Sequence, residues 1–210
     1  MASTSHTSAP ATRLILASSS RYRRALLQRL CLPFDVIVPD IDEQPTAGEA
    51  PEATALRLAE QKAAAVAQVN PGTLIIGSDQ VATLDGKQIG KPGTHDNALA
   101  QLQKMRGCQV VFHTALCLHD SRPAAAVPVR LANVQTVVTF RALPDTALDA
   151  YLRIEKPYDC AGSAKNEGLG IALIERCESS DPTALTGLPL IALCGMLYAA
   201  GVAFFTAPQV

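Results

Sequence analysis

The stretch Leu74-Ile75-Ile76-Gly77-Ser78-Asp79 decides the fold. Its continuous apolar run is that of a strand buried on both faces, the type found in parallel sheets covered by helices. It ends in a carboxylate, and in open α/β sheets ligands bind outside the carboxyl ends of the strands. Upstream, LILA at Leu14 to Ala17 reads as a first strand running straight into Ser18, Ser19 and Ser20 and a helix through Arg23 to Leu30. FDVIV at Phe34 to Val38 is a second strand. Between it and Leu74 the positions Ala55, Leu58, Lys62, Val66 and Val69 recur at spacings of three and four, so a helix runs from Pro51 to about Val69, with Pro51 suited to its first turn. Downstream come the hairpin-like LDGKQIG and a helix from a Thr94 cap to Met105. Strands follow near Val110 to Leu118 and Val134 to Phe140, then a helix from Asp145 to Ile154. After the loop DCAGSAKNEGLG the chain ends in a short strand at Ile171 to Glu175 and a terminal helix. Strand-length runs alternating with helix-length ones are the pattern of an α/β domain.

The 210 residues suit one domain, from about residue 13 to 210 behind a disordered lead of 12 residues. Hydrophobic residues make up 48%, charged residues 18% and aromatics 4%, with no Trp, so the core is expected to be aliphatic. A net charge of -1 excludes a general nucleic-acid-wrapping surface, and any cationic site must be local. The six Cys form no Cys-x-x-Cys pair and read as small buried residues in a reducing compartment, the cytoplasm. No charge follows Asp181, and LPLIALCGMLYAAGVAFFTA approaches the roughly 20 apolar residues that span a bilayer. Pro189, Gly195, Gly201 and the absence of flanking Lys or Arg favour a buried terminal helix and no membrane association.

Several residues outside the strand bodies carry chemical potential. Hydroxyls and N–H groups at a helix start, backed by Arg21, Arg23 and Arg24, suit a phosphate seat, and suit equally an ordinary serine cap before a solvated basic turn. Asp79 emerges on the ligand edge of the sheet. Lys62 lies on an apolar helix stripe, where it either snorkels to water or points into the site. Lys91 sits in a Gly-Lys-Pro turn, and Glu43 in a polar loop. Hydrolysis of a phosphoanhydride needs a hard cation held by oxygens, positive charge on the non-bridging oxygens and a carboxylate to orient or deprotonate water. Glu43, Asp79, Lys62, Lys91 and Arg23 together meet that need.

A zinc site built from Cys108, His113, Cys117 and His119 matches no standard spacing. The last three fall on one face of a strand, which favours an ordinary sheet face. Gly162, Gly168 and Gly170 read first as turns.

Taken in order, LILASSSRYRR, DEQ, LRLAEQKA, IIGSDQV, GKP, AGSAKNEG and GLPLIALC resemble the Maf family of nucleotide pyrophosphatases, from about Leu14 to Leu197. The resemblance implies a mixed α/β fold with a largely parallel central sheet flanked by helices and two lobes around a nucleotide cleft. It also implies dependence on a divalent metal, magnesium or manganese, and cleavage of a nucleoside triphosphate to monophosphate and pyrophosphate. Ser18 and Arg23 match the family's phosphate-binding loop, Glu43 its acidic loop residue and Lys62 the lysine of its long helix. Asp79 matches the proton-accepting position, which with Glu43 serves the metal, and Lys91 the lysine before proline. Arg21 departs from the family's usual Pro. Tyr22, Gln80 and Glu167 look like the branch acting on 7-methyl-GTP, where the branch for dTTP and UTP carries Arg, Thr and Gln. A methylated guanine is cationic, so an aromatic ring can stack on it and a carboxylate can offset its charge. A broader or pyrimidine-preferring pyrophosphatase and a non-catalytic nucleotide-binding regulator of cell division are the alternatives, and a homodimer is expected by analogy only.

Overall fold

The computed structural model describes residues 12–205. The expected lead over residues 1–12 lies, except for Thr12, outside the described residues. Twelve regular elements follow in order: β1 (Leu14–Ala17), α1 (Arg21–Gln28), β2 (Asp35–Val36), α2 (Pro51–Ala67), β3 (Leu74–Leu84), β4 (Lys87–Ile89), α3 (His95–Met105), β5 (Gln109–Asp120), β6 (Val129–Phe140), α4 (Asp145–Glu155), β7 (Ile174–Ser179) and α5 (Leu190–Ala199). The sheet runs β2-β1-β3-β5-β6-β7, with β4 paired to the far end of β3.

The mixed α/β architecture is the expected one, but its parallel share is smaller. Only β2-β1-β3 is parallel, and β3 with β4, β3 with β5, β5 with β6 and β6 with β7 pair antiparallel. An apolar run reports burial on both faces, not strand direction, and helices cover both faces of β3. Its Leu74 and Ile76 pack with α1 and α5, while Ile75 and Val81 pack with the alanines of α2. A third apolar cluster joins the far half of the sheet to α3 and α4.

β3 is longer than its apolar run because it changes partner. Leu74 to Gly77 pair with β1, and Ala82 to Leu84 pair with β4 on the same edge. Between these stretches that edge is open, and there β1 leaves the sheet into the serine loop. The β3-β4 hairpin closes through Asp85 and Gly86, both at positive φ (50° and 73°), the two-residue turn that suits strand twist.

Besides β6, which begins at Val129 and not near Val134, two strands are placed differently from the expectation. β2 keeps only two residues of Phe34 to Val38. The segment Leu169–Leu173 is a 3-10 turn, and the strand begins at Ile174. Gly170 explains the second case, because its backbone lies so close to Lys165 that a Cβ would stand 2.5 Å from the Lys165 carbonyl oxygen. The chain is folded on itself there and cannot extend. The expected terminal helix is ten residues long. Asp181, 2% exposed, caps it by accepting the N–H groups of Ile191 (2.6 Å) and Ala192 (3.3 Å), and Arg122 and Arg130 donate to the carbonyls of Ala200 and Ala199. Among the described residues no helix is long and apolar enough to cross a membrane.

Candidate active site

The serine loop caps α1 and lines the cleft. Ser20 takes extended φ/ψ before α1, and its Oγ accepts the Arg23 N–H (3.3 Å). That leaves Ser18 and Ser19 to face the cavity. Buried Ser18 has its Oγ fixed by the Ser20 N–H (3.2 Å) and by Arg23 Nη1 (3.4 Å). Arg23 is anchored on its other side by donating Nε to the carbonyl of Gly187 (2.8 Å), which also lies 2.9 Å from Ser78 Oγ. Gly187 has φ +105°, and a Cβ there would sit 3.4 Å from Arg23 Nε. Burial lowers the Arg23 pKa, against the pull of the Asp79 and Glu43 charges.

Lys62 does not snorkel. α2 presses on β3 at Gly77, where a Cβ would lie 2.1 Å from the Ala59 carbonyl oxygen and 2.9 Å from the Ala63 nitrogen. At that distance the Lys62 side chain, 7% exposed, turns inward. Its Nζ donates to Asp79 Oδ1 (2.7 Å) and pairs with Glu43 Oε1 (2.8 Å). A buried ammonium is tolerable only with such partners. Burial opposes the charge of Glu43, but the hydrogen bond and charge of Lys62, with Lys91 and Arg23 beyond it, hold its carboxyl below the ordinary value. The loop bearing Glu43 is tied down from α2. Arg57 donates Nε and Nη2 to the two oxygens of Glu49 (2.7 Å each) and Nη2 to the carbonyl of Gln44 (3.2 Å). The Arg57 bonds take the Glu49 carboxyl down to about 2.

Tyr22 and Glu167 line the same cleft. Tyr22 faces it from α1, with the guanidinium carbon of Arg21 4.7 Å from the ring centroid and Arg21 Nη2 donating to the Tyr22 hydroxyl (2.6 Å). Glu167 comes from the loop after α4; burial raises its carboxyl, opposed by its own backbone amide, the Tyr22 hydroxyl and the charges of Lys165 and Arg21. The Gln80 amide nitrogen is committed to Thr114 Oγ1 (2.9 Å) and to the carbonyls of Ala184 (3.1 Å) and Leu185 (3.0 Å), so it fixes the turn Ala184–Thr186 in the cleft wall.

A single cavity of about 840 Å³ is lined by all nine residues expected from the sequence: Ser18, Tyr22, Arg23, Glu43, Lys62, Asp79, Gln80, Lys91 and Glu167. Sequence reading missed Asp159 in the cavity wall, the Gly187 carbonyl under Arg23 and the Arg57–Glu49 tie. A polar Ser78 between Gly77 and Asp79 was the one local signal of the second.

The zinc set does not assemble. Cys117 is fully buried against α2, its thiol pushed up to about 12 by burial, and Cys108 lies before β5. Among the described residues no three His, Cys, Asp or Glu side chains cluster as metal ligands. A hard divalent cation does suit the donors of Glu43 and Asp79. Both direct carboxylate oxygens at one point that already holds a cationic group, and magnesium commonly takes one or two carboxylates with water and substrate phosphates.

The model of the family described as Maf-like protein matches residues 13–200. A 7-methyl-GTP pyrophosphatase of Cupriavidus pinatubonensis is 64% identical over 201 residues, 96% of this chain and 100% of that one. One of Cupriavidus metallidurans is 66% identical, covering 92% of this chain and 96% of that one, and one of Burkholderia thailandensis is 62% identical, covering 97% and 94%. With the family model matching residues 13–200 and relatives of matched length at 62–66% identity, the chain belongs to the Maf-like family.

Proposed function

We propose that this protein hydrolyses 7-methyl-GTP to 7-methyl-GMP and pyrophosphate. The observation that carries this reading is the buried Lys62 bridging Asp79 and Glu43 in one cavity that is also lined by Ser18, Arg23, Tyr22 and Glu167. The triphosphate lies over Ser18 and Arg23, where a guanidinium already oriented by Gly187 meets phosphate oxygens without reorganising. Asp79 accepts a proton from the attacking water as the new P–O bond forms and the α–β anhydride oxygen leaves with the pyrophosphate. Lys62 holds Asp79 and Glu43 in place, and Lys91 and Arg23 offset the charge that gathers on the phosphates. A divalent ion, magnesium or manganese, on Glu43 and Asp79 would add charge neutralisation and acidify the water.

The base lies against Tyr22, with Glu167 supplying the negative charge that a cationic, methylated guanine calls for. Gln80 contributes by holding the wall behind the base, since its amide is spent within the protein. The names of the relatives favour the same substrate. The reading places the protein in the cytoplasm, acting on a small-molecule substrate.

The test is pyrophosphate release from 7-methyl-GTP, GTP, dTTP, UTP and ITP, each with and without magnesium or manganese. Metal-dependent release, fastest with 7-methyl-GTP, is expected. Faster release from dTTP or UTP overturns the base assignment, and no release from any substrate overturns the reaction.

A further inference from the structure

Arg21 is an exposed cation that leans over an aromatic ring at the mouth of the cleft. It is held there by its hydrogen bond to the Tyr22 hydroxyl (2.6 Å) and by the ring face (4.7 Å to the centroid). Asp159 and Glu167, both in the cavity wall, contribute more distantly to its charge stabilisation, and among the described residues no carboxylate lies within ion-pairing distance of it. An aromatic face with two nearby carboxylates is the environment a cationic ring would seek, and here it holds a guanidinium tethered at one point. We infer that Arg21 is a built-in stand-in for the cationic base: it occupies a subsite formed by Tyr22, Glu167 and Asp159 and is displaced when 7-methylguanine binds.

This inference rests on the proposed base specificity. Displacing Arg21 costs the same for any base. Only a positively charged base regains the stacking and carboxylate interactions that the guanidinium gives up, and the displaced guanidinium, still tethered near Asp159 and Glu167, weakens them, so Arg21 lowers the affinity of both bases and that of the cationic base more. Removing the Arg21 charge frees the ring for both bases and leaves Asp159 and Glu167 without a neighbouring cation, which benefits the cationic base more. Asp159 thereby becomes a second specificity-determining acid beside Glu167.

The experiment measures dissociation constants of 7-methyl-GMP and GMP for the full chain and for Arg21→Gln, Arg21→Lys and Asp159→Asn. The two ligands share their phosphate, so their ratio isolates the base end, and binding is read without turnover. Arg21→Gln should tighten 7-methyl-GMP about tenfold and GMP less, with Arg21→Lys close to the parent protein, given the usual strength of an exposed cation–π contact plus one hydrogen bond. Asp159→Asn should lower the ratio of the two affinities. A weaker 7-methyl-GMP complex in Arg21→Gln, or an unchanged ratio in a parent protein that does prefer the methylated ligand, overturns the stand-in role alone. A parent protein that binds both ligands equally overturns the base assignment, and this inference with it.

Discussion

The residues proposed for the phosphates and those proposed for the base are held differently. At the phosphate end Ser18, Lys62 and Asp79 are buried, they sit on or beside β1, α2 and β3, and each is locked by a second partner: Ser20 or Arg23 for Ser18, Glu43 for Lys62, Lys62 for Asp79. At the base end Arg21, Asp159 and Glu167 are exposed, and the last two come from the irregular chain after α4. Lys62 and Asp79, proposed to act on the triphosphate, are held in the low-dielectric interior, where reorganisation is small. The groups proposed to choose among bases lie on the surface, where substitution leaves the core intact.

The comparison breaks first at Asp79. Asp79→Asn should cut turnover roughly 100-fold or more, the scale of a lost general base, with the thermal midpoint little changed because Glu43 still pairs with Lys62. A fully active variant removes Asp79 from the chemistry.

Gly77→Ala tests whether the phosphate end depends on the approach of α2. A Cβ at 2.1 Å from the Ala59 carbonyl must push the helix away, at a cost of about 1–3 kcal/mol. Thermal denaturation should show a midpoint several degrees lower, and turnover should fall because Lys62 leaves with α2. Normal stability with normal activity would show that this contact does not position the site.

A loop effect should be smaller. Arg57→Ala frees Glu49 and the Gln44 carbonyl, so the metal concentration for half-maximal rate should rise severalfold while the preference among bases stays constant. A change in base preference instead would mean that the two ends are coupled. At the base end, Glu167→Gln should reduce the preference for 7-methyl-GTP over GTP roughly fivefold, as for an exposed charge contact, and leave the GTP rate as it was.

The finest distinction is in pH. The Glu167 carboxyl lies above its ordinary value of 4.5 and that of Glu43 below it. On acidification Glu167 therefore gains its proton first, and base preference should fade at a higher pH than the Glu43-dependent rate. For stability, the lowered Glu43 contributes above its unfolded value, and that contribution disappears as pH falls through its folded one. A base preference that outlasts the Glu43-dependent rate as pH falls would reverse the assignment of the two acids.

The regular elements α2, α3 and the β3-β4 hairpin were legible because their signals are local: a three-and-four stripe, a Thr94 cap whose Oγ1 accepts the Asn97 N–H (3.3 Å), and an Asp-Gly turn. β7 was misplaced because Gly170 is shaped by contact with Lys165, which no period along the chain encodes. Strand direction escaped for the same reason, since burial on both faces looks alike in parallel and antiparallel strands.

The sequence by itself determined the candidate set, because a carboxylate at the end of an apolar run, a hydroxyl loop before a helix and cations near both are local signals. Asp79, the serine loop and Lys62 stand out that way, and the motifs, in order, resemble the family and single out Ser18 and Arg23. Only the tertiary structure decided what each one does. It turned Lys62 inward by bringing α2 against Gly77, committed the Gln80 amide to the cleft wall and put the Gly187 carbonyl under Arg23. Those outcomes depend on close approaches between segments far apart in the chain, down to the space one Cβ would fill. Periodicity and composition carry no record of such distances.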